Sequence, residues 1–475
     1  MASIEIDITK PFELRGKWWL PDHNSNQIFG TLRFDPAGDF VLELDGWLDP
    51  TRRPGSSAFL YPPVVHGLTK EGKHCSLLEV FESNFTIGSG IPSSKLTVNF
   101  AIVGALTTSL ENLQCQSASI RYTNLEAWVS RSRLWEKIDK GGKKSGRSFA
   151  IEYKEPKSVK YSVTSIQSTV TLESALTGNY EPCVGTLRHT ESIRIRPRRR
   201  QPLVWFIDQA HHLRNLLALF ATERFFYRAF KVQLGRRKLP NMGGRQLRVE
   251  ADLIMRQGYF SEVRQLYGHD LPFPHPVVRR DLPRIIEVWF NEREQLKPVH
   301  DLFFGSFYNR ELGIEFQFLS LIQALESLHR RFHKGRYISK KKCDSCRQIL
   351  TGAIPTSVPK DLRTALKNRI QYGNEYSLRK RLTLMGRQLN SSSRQLIAND
   401  FKRFVTAVVD TRNYLTHYDP SPGADIMDTK EMIVATFSLR LLLTLYLFKR
   451  IGMQESAIAK VMKEHRRFQK PEIRS

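Results

Sequence analysis

Apolar and polar residues alternate along the first half of the chain and change to a helical period in the second. In Ile28–Phe34, the residues Ile28, Gly30, Leu32 and Phe34 share one side of a two-residue repeat, which predicts a strand with one buried face. Pro36–Asp39 reads as a turn and Phe40–Leu44 as the returning strand of a hairpin. Similar runs recur at Ser76–Phe81, Leu96–Val103, Ser117–Leu125, Phe149–Tyr153, Ser158–Val163 and Ser192–Ile195. Short strands separated by Gly and Pro predict a β-rich domain of sandwich or barrel type. Leu203, Phe206, Ile207, Leu213, Leu216, Leu217 and Phe220 fit a helix near 203–222, after which Phe225–Leu234 and Gln246–Met255 return as strands. The β-rich domain is thus expected over 1–275, ending in Leu271–Pro276, whose alternating prolines forbid regular pairing.

Beyond that joint the period is helical. Leu282–Leu296 carries Ile285, Ile286, Trp289 and Phe290 on one side. Leu312–Phe332 repeats Ile314, Phe318, Leu321, Ile322, Leu325, Leu328 and Phe332 at close to helical spacing. Further helices are expected at Pro359–Gln371 and Asn399–Tyr414, and from Asp428, where Glu431 completes a capping box. Met432–Phe448 is apolar nearly all round and suits a central or interfacial helix. The fold class is α+β: a β-rich domain over 1–275, a helical bundle over 280–460 and a basic tail over 461–475.

Charge narrows the partners. Among 475 residues, 73 Lys and Arg face 47 Asp and Glu, a net +26 that favours polyanions, nucleic acid first among them. The opening Met-Ala-Ser-Ile-Glu-Ile-Asp lacks the apolar core of a signal peptide. Met432–Phe448 contains Arg440 and falls short of the ~20 residues that cross a bilayer. Five cysteines in so long a chain suggest no disulfide framework. The expectation is a soluble cytoplasmic protein with no membrane contact. Neither a Walker-type phosphate loop nor Gly-x-Ser-x-Gly is present, which leaves an ATPase or serine hydrolase without support. Trp18-Trp19 at a strand start reads as core, and Arg194–Arg200 either touches phosphate or is a solvated crossing.

The candidate chemistry lies in Phe401–Pro420. Phe401, Phe404, Val405 and Val408 form an apolar stripe that Arg412 continues, and a guanidinium there needs an anion to meet it. His417 follows five positions later, about 140° away on an unbroken helix. Asp419-Pro420 favours a bend that would bring the two together. Arg and His at one point suit cleavage of an RNA phosphodiester: Arg412 steadies the phosphate as its charge grows, and His417 moves the 2′-hydroxyl proton. Asn413 would orient either partner by hydrogen bonding.

Arg412-Asn-Tyr-Leu-Thr-His417 resembles the motif of the HEPN ribonucleases. Phe318–Arg330 and Tyr376–Leu382 resemble the HEPN domain of the ApeA anti-phage proteins, and Gly16–Pro21 with Gly30–Phe34 is similar to that family's N-terminal domain. The resemblance implies a metal-independent, dimeric ribonuclease that acts by abortive infection on a phage-derived trigger, with tRNA a common target. It also gives Glu326 a role in holding Arg412 or His417. The residues alone equally allow Glu326 an ordinary pair with Arg330.

Three further expectations follow. Arg330, Arg331, Lys340, Lys341 and Lys342 are candidate RNA contacts beside the motif. His329 and His333 share a helix face, and Cys343-Asp-Ser-Cys346 is a common half of a zinc knuckle, so the four could hold a structural Zn²⁺; catalysis itself needs no cofactor. One Arg–His pair is a sparse site, and Met432–Phe448 is apolar beyond what a small bundle need bury, so a homodimer through the bundle is expected. Two other classes stay open: a catalytically silent HEPN-like nucleic-acid-binding regulator, and a ligand-binding β-domain with a helical dimerisation tail.

Overall fold

The computed structural model describes residues 6–51, 59–86, 92–131, 134–139, 148–238, 246–258, 260–261, 263–333, 335–418 and 422–471. The chain divides into two compact units, Met1–Asn291 and Glu292–Ser475.

The first unit is organised by a 14-stranded sheet in which every hydrogen-bonded neighbour runs antiparallel. The expected hairpin is present as Ile28–Phe34 paired with Phe40–Leu44, and its apolar positions Leu32, Phe34, Phe40, Leu42 and Leu44 are buried. The ladder is open: its end strands, Val159–Val163 and Phe81–Thr86, do not pair with each other among the described residues, so the sheet is not a closed barrel. The longest ladder is the hairpin Ser168–Glu181 with Val184–Pro197, in register from Ser168↔Pro197 to Glu181↔Val184. Only its Ser192–Ile195 stretch is legible as a strand from sequence. Residues 175–188 are exposed on both faces, and a strand with no buried face carries no alternation. Arg194 lies within this ladder, paired with Glu173 at 2.9 Å, while Arg196, Arg198, Arg199 and Arg200 of the basic run are exposed.

Among the described residues, four α-helices complete the unit: α1 (Leu125–Val129), α2 (Leu203–Ala221), α3 (His275–Val278) and α4 (Leu282–Asn291). α2 matches the expected helix, ends at Thr222 with φ of 49°, and is buried over most of its length. It is fastened to the sheet by the Tyr122 hydroxyl, which donates to the Ala210 carbonyl at 2.8 Å. It is fastened to α4 by a reciprocal pair in which His212 Nε2 donates to the Trp289 carbonyl at 2.9 Å and Trp289 Nε1 to the His212 carbonyl at 3.0 Å. The helix expected over Leu282–Leu296 is therefore two: α4 packs with the sheet, and a new helix starts at Arg293 in the second unit.

The second unit holds α5 (Arg293–Tyr308), α6 (Ile314–Phe332), α7 (Lys340–Gly352), α8 (Lys360–Tyr372), α9 (Leu378–Arg387), α10 (Ser391–Ile397), α11 (Phe401–His417), α12 (Thr429–Arg450) and α13 (Glu455–Glu464). α6 packs on α5, α12 and α9; α9 packs on α11. α7 and α8 lie against each other and bury none of their residues. α12 has the capping box expected at Asp428 and Glu431. Its 22 residues and mean hydropathy of 1.6 would by length and composition suit a bilayer, but 67% of that window is buried within the unit, as in a core helix. The apolar girth taken as a reason for a dimer is thus covered within one chain. Part of the stretch expected as a basic tail is packed: Met462 and Phe468 are buried, and α13, which runs into it, packs on α10 and α12.

Trp18 is fully buried, donates through Nε1 to the Gly30 carbonyl at 3.2 Å, and faces Gly67 on the neighbouring strand. A Cβ on Gly67 would run into the six-membered ring of Trp18. Gly67→Ala is therefore expected to destabilise the first unit by about 1–3 kcal/mol. The urea midpoint followed by tryptophan fluorescence checks this; an unchanged midpoint would mean that the indole can move aside.

Candidate active site

α11 begins at an Asp400 cap, whose side chain accepts from the Arg403 N–H at 3.0 Å. The helix continues without a break through Arg412 and Asn413 to His417, and Tyr418 closes it in the left-handed conformation, φ 53°. No bend separates Arg412 from His417; the expected convergence within one chain does not occur, and they point about 140° apart. Asp419 and Pro420, which suggested the bend, lie outside the described residues. The buried stripe also differs from expectation. It runs Val405, Val408, Thr411, Leu415, and Arg412 sits beside it, half-exposed. A helix advances 100° per residue, so the position after a stripe residue falls at the margin of the face, where a guanidinium keeps its hydration.

Arg412 Nη1 donates to Asn413 Oδ1 at 3.1 Å, and no carboxylate pairs with it among the described residues. Asn413 and His417 are exposed. The segment after the helix folds back alongside: the Asp425 N–H donates to Asp410 Oδ2 at 3.2 Å, and the Met427 N–H donates to Thr411 Oγ1 at 2.9 Å. Arg379 on α9 holds the same Asp410 at 2.7 Å and donates to Thr406 Oγ1 at 2.8 Å. These contacts position the turn of α11 immediately before Arg412.

Glu326 accepts from Arg330 Nε at 3.0 Å, the ordinary i,i+4 pair, and does not touch Arg412 or His417. Arg330 continues to Glu375 at 2.6 Å, so both its neighbours are carboxylates. Arg331, Lys340, Lys341 and Lys342 are exposed, the three lysines on the first turn of α7 under a Ser339 cap.

The zinc set is not assembled: among the described residues no three His, Cys, Asp or Glu side chains come together as a metal site. The physical reason is local. Cys343-Asp-Ser-Cys346 is wound into α7 instead of a knuckle turn, and His329 Nδ1 already accepts from Arg381 Nη1 at 3.1 Å. His333 stacks on His329 with ring centroids 4.6 Å apart.

Arg381 was not singled out from sequence, where it stood only within Tyr376–Leu382, a stretch quoted for its resemblance to the ApeA HEPN domain. It is only 2% exposed. Its Nε donates to the Tyr376 carbonyl at 3.0 Å, and Gly335, φ +61°, passes so close that a Cβ would lie 2.6 Å from Nη1. One signal was available: Leu382 and Met385 mark the buried face of α9, and Arg381 stands one turn before Met385 on that same face.

The helical unit, with Arg412-Asn-x-x-x-His417 on the last turns of α11, is a HEPN domain: residues 319–457 match the Apea-like HEPN family. Residues 13–289 match ApeA N-terminal domain 1, more than half of the chain, and the chain belongs to the ApeA family. No curated protein and no solved structure matches it. HEPN domains are typically ribonucleases, generally independent of metal, so an RNA substrate is implied.

Burial, then the neighbouring His333 and Arg381, lowers the His329 pKa to about 4. The unfolded chain binds this proton below about pH 6.5, the folded one only below about 4, so the stability present above 6.5 is lost as pH falls toward 4. The slope is about 1.4 kcal/mol per pH unit for one such histidine. Unfolding of His329→Gln between pH 7 and 4.5 should show a shallower acid loss than the parent; parallel curves would count against a neutral buried His329.

Proposed function

We propose that this chain is a metal-independent endoribonuclease of anti-phage defence, with Arg412, Asn413 and His417 as its reacting group and tRNA among its candidate targets. The observation that carries this reading is an exposed His417 and an Arg412 that pairs with no carboxylate among the described residues, both on one HEPN helix. Neutral His417 accepts the 2′-hydroxyl proton; the 2′ oxygen bonds to phosphorus and the bond to the 5′ oxygen breaks, that oxygen taking a proton. Arg412 neutralises charge growing on the non-bridging oxygens, and Asn413 holds the guanidinium plane. The products are a cyclic 2′,3′-phosphate and a free 5′-hydroxyl. Arg331 and Lys340–Lys342 draw the backbone in.

Separation of Arg412 and His417 around one helix favours a composite site in which one chain's arginine meets the histidine of a second copy. The same separation is what a catalytically silent, RNA-binding HEPN regulator would show. Cleavage of cellular RNA in EDTA by the parent chain, lost at least about 100-fold in Arg412→Ala or His417→Ala, is the expected result. Mixing the two inactive variants should restore a fraction of the activity if the site is shared. Failure of the mixture with active parent places both groups in one chain; an inactive parent that still binds RNA leaves the silent regulator. Cleavage of all-deoxy strands would overturn the mechanism.

A further inference from the structure

In the N-terminal unit a cavity of about 1030 Å³ lies between the end of α1, the strand Val159–Val163 and the segment from α3 to the start of α4. Its walls are apolar, from Val129, Val159, Pro156, Pro276 and Pro283, with Tyr161 and His275 among them. The Tyr161 hydroxyl and His275 Nε2 are 2.8 Å apart, and both residues are buried. Burial, then the charges of Arg131 and Arg279, lowers the His275 pKa to about 4, so at neutral pH it offers hydrogen bonding without charge.

The rim is cationic. Arg131 is already matched: it grips the buried Glu191 carboxylate at 3.0 and 2.8 Å and donates to the Lys157 carbonyl at 3.0 Å, which fixes the backbone there. Lys154, Lys157, Lys160, Arg279 and Arg280 also line the cavity, are exposed, and have no ion pair among the described residues. Among the described residues, Glu155 is the single carboxylate lining it. Cations gathered round a concave apolar wall repel one another and focus a positive field into the space. A solvated surface face would gain nothing from that concavity. The volume exceeds what phosphate or a simple carboxylate would fill, and stands at the upper end of the ~300–1,000 Å³ typical of small-molecule sites.

We propose that this cavity binds a nucleotide, its phosphates among Lys157, Lys160, Arg279 and Arg280 and its base against the apolar wall beside Tyr161. The apolar wall distinguishes a nucleotide from a bare polyphosphate, and the concave shape distinguishes it from a strand of RNA lying across a flat basic face.

Isothermal titration of the full chain with ATP tests this directly, with inorganic triphosphate and a ten-nucleotide RNA as comparison probes. ATP should bind, and Lys160→Ala with Arg280→Ala should weaken it at least about tenfold while an Arg198→Ala, Arg199→Ala control leaves it unchanged. All four side chains are exposed, so the melting temperatures of both variants should equal the parent's. Triphosphate should bind at least about tenfold more weakly than ATP, because it leaves the apolar wall uncovered. Absence of ATP binding at millimolar concentration, equal weakening in both variants, or triphosphate matching ATP would overturn the proposal. RNA binding lost in the cavity variant without any ATP binding would equally overturn it, making this a nucleic-acid face.

Discussion

A guanidinium cannot lose its proton, and removing one from water costs several kcal/mol unless acceptors meet it. Arg381 imposes that constraint on the HEPN unit. It is buried where α9, the end of α6 and the segment after Gly335 meet, and it spends its donors on the Tyr376 carbonyl and His329 Nδ1. The backbone accommodates it: Tyr376 N–H donates to the Gly335 carbonyl at 2.8 Å, at the one turn where a side chain would collide with the guanidinium. α9 is thereby fixed to α6, and Arg379, two residues earlier, passes the restraint to Asp410 and Thr406 on α11. The orientation of the helix that carries Arg412 and His417 thus depends on a charge that never touches them.

Charge pairing sorts the remaining basic residues of this unit into two kinds. Arg330, Arg379 and Arg450 are engaged by carboxylates, Arg450 by Glu292 at 2.5 Å. They serve the bundle, and their charge is largely cancelled for any incoming phosphate. Arg412 and the lysines at the start of α7 have no such partner among the described residues and keep their full attraction for a polyanion. Counting cations in the sequence cannot separate the two kinds; the positions of Glu292, Glu326, Glu375 and Asp410 do.

In the N-terminal unit the fixed points between helices are neutral. His212 and Trp289 exchange hydrogen bonds between α2 and α4, and the Trp128 indole donates to the Phe273 carbonyl at 3.0 Å. The latter ties α1 to the segment leading into α3, which is why the proline-rich stretch, read as a joint between domains, is instead packed: Leu271 and Phe273 are buried. Prolines forbid ladder pairing but not burial, and a carbonyl that lacks a ladder partner is free to accept from an indole.

Patterns with a local physical cause were legible from the sequence. Two-residue alternation marked the strands that have one buried face, helical spacing marked α2, α6, α11 and α12, and the Asp428 and Glu431 capping box is where it was expected. The Arg412–His417 motif and the resemblance it carried named the family. Other features were not legible because their cause is distant in the chain. Residues 175–188 form a ladder whose partner strand, not its own pattern, makes it a strand. α7 buries none of its residues, so no apolar stripe marked it, whereas α8 stands where Pro359–Gln371 was expected as a helix. Whether α11 would bend between Arg412 and His417 was decided by Thr411 and Asp410, which hold the returning segment against an intact helix. Whether Glu326 would serve Arg412 or Arg330 was decided by distance in three dimensions. A sequence records which side chains can pair; competition among partners brought close by folding determines which do.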